Sequence, residues 1–252
     1  TTSFRPGTRW GPDAFRSVAE EAIETYSPVQ NRDLEDCSFA DLGNLEVPFG
    51  APEPVVDLLH LATREILKAG AIPVILGGEH SISPGSIRAA FEKHSDLVVV
   101  QFDAHAVLRA EWNGTPNSHA CAMRRVLDFL PADQLLQVGV RSGTGEEFRE
   151  MEGRLIAPCA GALSEALPGN VPFYITFDLD IFDPSLLPGT GTPEPGGIDW
   201  QKFQQLRAVF EGTQIVGLDL VELAPTLDPG GVSAVVAAKL LREWLLTVHC
   251  LS

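Results

Sequence analysis

Short apolar runs alternate with segments of helical period along the whole of this 252-residue chain, and that alternation restricts the fold more than any other feature. The runs at 71–76 (Ala-Ile-Pro-Val-Ile-Leu), 96–102 (with Leu-Val-Val-Val at its centre), 135–140, 172–179 and 214–221 are six to eight residues long. Continuous apolar runs of that length, bounded by turn residues, read as strands buried on both faces. Between them, 55–68 places Val56, Leu59, Ala62 and Ile66 on one helical face, and helices are predicted at 120–129, 145–151, 200–210 and 232–247. Strands separated by helices imply parallel pairing through crossovers. The expected fold class is α/β, a three-layer α-β-α sandwich around a central, mostly parallel sheet. No composition break or linker divides the chain, so a single domain over 1–252 is expected.

In such sheets ligands bind beyond the carboxyl ends of the strands, and three segments with chemistry to offer stand there. They are Gly77-Gly78-Glu79-His80-Ser81, Phe102-Asp103-Ala104-His105-Ala106-Val107 and Phe177-Asp178-Leu179-Asp180-Ile181-Phe182-Asp183-Pro184. On an extended backbone Asp103 and His105 would face one way, as would Asp178 and Asp180. With His80 they form a set of two imidazoles and three carboxylates, suited to Mn²⁺ or a neighbouring first-row ion. Two close ions lower the pKa of a shared water, the usual preparation for hydrolysis. A lone His or Asp at a strand end is more often a cap; three such segments in register with the fold are not readily chance. Asp183-Pro184 alone reads as turn chemistry, and His60, His94 and His249, on or beside helices, as surface or packing residues.

The composition narrows the partners. A net charge of −16 disfavours nucleic acid and anionic membranes and attracts cations. The apolar stretch at 235–248 is interrupted by Lys239, Arg242 and Glu243, which excludes a bilayer span. No signal-peptide pattern opens the chain, and Cys37, Cys121, Cys159 and Cys250 lie far apart with no C-x-x-C spacing, as unpaired thiols do in a reducing compartment. A cytoplasmic location is the expectation. Gly77-Gly78 lacks the G-x-G-x-x-G pattern and no P-loop lysine is present, so a nucleotide-binding role has little support.

In this order, the three segments resemble the signatures of the ureohydrolase (arginase and agmatinase) family: G-G-[DE]-H-S, D-A-H-x-D, and D-x-D-x-x-D-P followed by P-G-T-G-T-P, here Pro188-Gly189-Thr190-Gly191-Thr192-Pro193. The likeness runs from Ser3-Phe4-Arg5-Pro6-Gly7 through Val221-Glu222-Leu223-Ala224-Pro225 to the closing helix. It implies two Mn²⁺ ions bridged by Asp103 and Asp178, with His80 completing one shell and His105 and Asp180 the other. It further implies that His119 shuttles protons and that Glu222 pairs with a substrate guanidinium, a charge-assisted contact. Ser118-His119-Ala120-Cys121 stands where arginases carry an H-G motif, so the resemblance is to agmatinases: a small cationic guanidino substrate, agmatine first, then guanidinobutyrate, guanidine or arginine.

Two departures qualify that resemblance. The last residue of D-A-H-x-D is Val107, which cannot bind a metal, so the ion beside His80 is expected to be weak or absent and catalysis impaired. A non-catalytic homologue that binds a ligand or partners an active subunit is the rival this supports. The chain also opens two residues before Ser-Phe-Arg-Pro-Gly, so a first strand that relatives carry is expected to be missing. The resemblance implies a homo-oligomer, a trimer or hexamer.

Overall fold

Residues 1–249 are described in the structure, a computed structural model of the chain. Six strands, β3 (Val74–Leu76), β4 (Val98–Phe102), β5 (Leu135–Val138), β6 (Leu155–Ile156), β7 (Pro172–Asp178) and β8 (Gln214–Val221), form one sheet in the order β3-β8-β7-β4-β5-β6. Every pairing in it is parallel. A separate antiparallel hairpin joins β1 (Tyr26–Ser27) to β2 (Arg32–Asp33).

Pleating divides the sheet's side chains between two cores. Val98, Val100 and Phe102 of β4 join Phe173, Ile175 and Phe177 of β7 on one face. There they meet Phe15 of α1 (Gly11–Ala22), Leu163 of α6 (Ala160–Ala166), Phe203 and Leu206 of α7 (Trp200–Ala208), and Leu240 and Trp244 of α8 (Val232–Val248). Val99 and Tyr174 point the other way, towards Leu67 of α2 (Glu53–Lys68), Ile87 of α3 (Ser83–Lys93) and Met123 of α4 (Ala122–Val126). Each fully buried Leu, Ile or Phe contributes about 1.5–3 kcal/mol. This is the α-β-α sandwich the alternation predicts.

Boundaries contract where the backbone must turn: the strand expected at 135–140 ends at Val138, before Gly139 at φ 86°. The helix expected over 120–129 is a 3-10 turn at His119–Cys121 followed by α4. Not anticipated are α1, α6, α3, β6 and the hairpin. Ser83-Pro84-Gly85-Ser86 has turn composition, yet Pro84 sits in the first turn of α3, where a missing N–H costs nothing. A Cβ on Gly85 would fall 2.2 Å from the Val56 carbonyl oxygen, so glycine lets α2 and α3 approach backbone to backbone. Cys121 and Cys159 form no disulfide, Cys37 is half-buried, and Cys250 lies outside the described residues. No described helix is long and apolar enough to cross a membrane.

Candidate metal centre

After β4 the chain moves outward through β5 to β6, and after β7 it moves the opposite way to β8. The strand order therefore reverses between β4 and β7, and a crevice opens at their carboxyl ends. Asp103 directly follows β4, Asp178 ends β7, Glu222 directly follows β8, and His80 lies four residues beyond β3. One topological feature brings all four together.

Turns, rather than the pleat, deliver the remaining ligand candidates. The strands stop at Phe102 and Asp178, so the expected alternation does not reach His105 or Asp180. Asp103 Oδ1 instead accepts the His105 N–H at 2.6 Å, and Asp178 Oδ1 accepts the Asp180 N–H at 2.9 Å across the 3-10 turn Leu179–Ile181. Asp180 Oδ1 accepts from Ala104 N at 3.0 Å and ties the two loops together. Asp183 is turn chemistry as read: its carboxylate accepts from Ser185 N, Gly196 N and Gly197 N.

Two groups of ligand atoms result, each lying within 4.8 Å: His80, Asp103 and Asp178, and Asp103, His105 and Asp180. Asp103 belongs to both. His80 Nδ1 is 3.1 Å from Asp103 Oδ2 and 3.1 Å from Asp178 Oδ2, and His105 Nδ1 is 2.9 Å from Asp180 Oδ2. Burial works against a charged His80, but Asp103 and Asp178 outweigh it and raise its pKa well above the ordinary imidazole value. His105 is likewise desolvated, yet Asp180 and Asp103 push it up to about 12. Burial, reinforced by Asp180 and Asp103, drives Asp178 well above the carboxylate range. Three buried acidic groups and two imidazoles that retain protons at these sites are an arrangement into which divalent cations can substitute for protons.

Val107 stands at the rim of the same cavity, a hollow of about 210 Å³ also lined by His80, His105, His119, Asp178 and Asp180. It is 8% exposed and packs with the core under α4, and its carbonyl accepts from Met123 N and Arg124 N. Its φ is 48°, a left-handed conformation that is unfavourable for a β-branched residue and tolerated by Asp or Asn. So it lines the site through this backbone kink, beyond the end of the strand at Phe102.

His119 Nδ1 lies 3.8 Å from Glu222 Oε1, and its Nε2 lies 2.9 Å from Ser3 Oγ. Burial lowers the His119 pKa. Glu222 is itself in the left-handed region at φ 69° and accepts the His80 N–H at 2.8 Å. Burial first, then Glu79, lifts its carboxyl to about 8. Arg109 also borders the cavity, its guanidinium 4.3 Å from the Trp112 ring centroid. Sequence reading passed over Gln101, Thr176 and Asp219. Their signal is a polar residue inside an otherwise apolar strand, and all three are 0% exposed behind the ligand groups.

Comparison with known proteins places this geometry. The description of the arginase family matches residues 1–247. Agmatinase of Bacillus subtilis (strain 168) is 38% identical over 256 residues, covering 98% of this chain and 87% of its own. A guanidinobutyrase of Pseudomonas aeruginosa is 30% identical over 262 residues, covering 97% and 82%. The crystal structure of agmatine ureohydrolase of Thermoplasma volcanium superposes with a TM-score of 0.87 at 32% identity, covering 99% and 86%.

Proposed function

The chain belongs to the arginase family, and on that footing we propose that it is a metal-dependent hydrolase of a guanidino compound, agmatine first, releasing urea and putrescine. One observation carries the reading: Asp103 is shared by two ligand groups that meet at the sheet's switch point, with Glu222 and His119 beside them. The donor set fits a pair of divalent ions, since mixed imidazole and carboxylate ligands suit Mn²⁺ and its neighbours. His80, Asp103 and Asp178 would hold one ion, and Asp103, His105 and Asp180 the other. When bound, such ions supply Lewis acidity that makes hydroxide available near neutral pH.

The remaining chemistry rests on the chain's own side chains. Glu222, buried and held by the His80 N–H, pairs with the planar guanidinium and orients its carbon towards the ligand cluster. His119, kept neutral by burial, accepts a proton and delivers it to the departing amine. At Val107 the His80 group lacks the carboxylate that the family pattern places there, so that ion is held more weakly and turnover is reduced. Manganese as the ion and a trimeric or hexameric assembly belong to this reading through the resemblance, and a cytoplasmic location through the spacing of the cysteines and the opening residues.

A second substrate has a specific observation in its favour. The Arg109 guanidinium borders the cavity and, among the described residues, meets the Trp112 ring without an acidic partner. A cation there favours a substrate with a carboxylate at its far end, such as guanidinobutyrate. The test is urea release from agmatine and from guanidinobutyrate as Mn²⁺ is added to metal-stripped protein. Mn²⁺-dependent urea from agmatine supports the first choice, and a preference for guanidinobutyrate replaces it with the second. No urea from either at any Mn²⁺ concentration refutes both choices and leaves another guanidino substrate, guanidine or arginine, or the non-catalytic homologue.

A further inference from the structure

Behind His80, on the side away from the ligand cluster, runs a buried chain of polar groups with no place in the reading above. His80 Nε2 lies 3.0 Å from Thr176 Oγ1. The Thr176 hydroxyl donates to Asp219 Oδ1 at 2.7 Å. The Tyr174 hydroxyl lies within reach of Asp219 Oδ2 at 2.9 Å and Ser86 Oγ at 2.7 Å. Asp219 is fully buried, and no Lys or Arg among the described residues pairs with it. A carboxylate left there without a role would be a costly feature.

Proton counting gives the chain a direction. An ionised Asp219 has no hydrogen to give, so it receives the single hydrogen of the Thr176 hydroxyl, and towards His80 the Thr176 oxygen can then only accept. His80 must therefore carry its proton on Nε2, and Nδ1 is the nitrogen left to bind a cation. Nδ1 is also the nitrogen that points at Asp103 and Asp178. We infer that Thr176 and Asp219 are positioning residues that fix the tautomer and ring plane of His80. This rests on the reading that His80 is a metal ligand. In metal sites generally, a ligand histidine donates its other N–H to a carboxylate, backbone carbonyl or water, and loss of such a partner lowers metal affinity by about 10–100-fold; here the Thr176 hydroxyl, backed by Asp219, takes that place.

The fold supports the arrangement at two points. Thr176 and Asp219 are register partners on β7 and β8, so their side chains share one face of the sheet. A bulge shifts the register between Phe173 and Tyr174, setting Tyr174 opposite Gly217. A Cβ on Gly217 would fall 2.5 Å from the Tyr174 ring, so glycine leaves the space that the ring occupies beside β8, with its hydroxyl at Asp219. Because Val107 supplies no carboxylate, His80 carries more of the burden of holding its ion.

The experiment uses the full chain loaded with Zn²⁺, which is diamagnetic, and reads the ¹⁵N resonances of the His80 ring. Retention of the proton on Nε2 with the metal on Nδ1 is the expected result, and metal on Nε2 overturns the inference. No change at His80 on adding Zn²⁺ instead refutes the ligand reading beneath it, so the two failures are distinguishable. In parallel, calorimetric titration with Mn²⁺ compares the parent with Thr176→Val, Thr176→Ser and Asp219→Asn. Thr176→Val should weaken the ion beside His80 by about 10–100-fold and spare the His105 ion, while Thr176→Ser restores binding. Equal weakening at both ions, or none in a folded variant, shows a structural role only and overturns the inference. If Thr176→Val does not fold, the spectrum of the parent protein decides.

Discussion

Replacing Val107 with Asp should change the sign of its effect on stability according to whether metal is present. Without metal, two effects oppose each other. Val107 is 8% exposed, so removing its isopropyl group forfeits about 1.5–3 kcal/mol of apolar burial. Its left-handed φ of 48° costs a β-branched residue about 1–2 kcal/mol, much of which Asp relieves. The new carboxylate also joins Asp103, Asp178 and Asp180 around one cavity, where like charges repel. The net expectation is a loss of about 1–3 kcal/mol for Val107→Asp in a chelator, or roughly 2–12 °C in Tm at this chain length. With Mn²⁺ the added carboxylate completes the ligand group of His80. A second ion held at a hundred times its Kd stabilises the folded state by about 2.7 kcal/mol, enough to cancel or reverse the loss. Thermal unfolding of parent and variant in EDTA and across a Mn²⁺ series measures both terms. Val107→Asn is the control, since it accepts the left-handed backbone without adding charge, and it should fall in EDTA without matching the Mn²⁺ gain. The reasoning fails if Val107→Asp is at least as stable as the parent in EDTA, or if Mn²⁺ raises both by the same amount.

Four further outcomes are expected. Metal binding should release protons, because His80 and His105 hold theirs well above pH 7 in the metal-free protein and must surrender one each to become ligands; Mn²⁺ affinity then falls as pH falls, and a binding heat independent of buffer ionisation enthalpy would contradict this. Glu222→Gln keeps the acceptor for the His80 N–H but removes the charge, so kcat/KM for a cationic guanidino substrate should drop by about 10- to 100-fold. In the metal-free protein the raised pKa of Glu222, about 8 against an ordinary 4.5, makes stability decline as pH rises from about 4.5 to about 8; Gln should remove that slope from urea-unfolding curves. Asp183 runs the other way: hydrogen bonds from Ser185 and from Gly196 and Gly197 hold it at about 2, so its contribution is present above about pH 4 and lost as pH falls towards 2. Asp183→Asn should flatten that acid limb, and an unchanged limb would show the loop to be held by other contacts.

The sequence alone determined the layer architecture and the chemical cast. Apolar runs such as 97–100 and 214–221 can only be buried on both faces, and a strand buried on both faces needs helices above and below it. His80, Asp103, His105, Asp178 and Asp180 stood out as candidates because metal-competent residues directly after such runs occupy the place where α/β sheets keep their ligands, and the structure gathers them. Tertiary structure decided what pattern cannot express. Which strand ends meet depends on strand order, and the reversal between β4 and β7 is a property of crossovers far apart in sequence. Turn hydrogen bonds from Asp103 and Asp178, not the pleat, set the positions of His105 and Asp180. Thr176 and Asp219 stand 43 residues apart in the chain yet 2.7 Å apart in space, so nothing local marks them as one device. The left-handed backbone at Val107 and Glu222 was equally invisible, because a residue's φ there is imposed by the contacts around the loop and not by the preference of its own side chain.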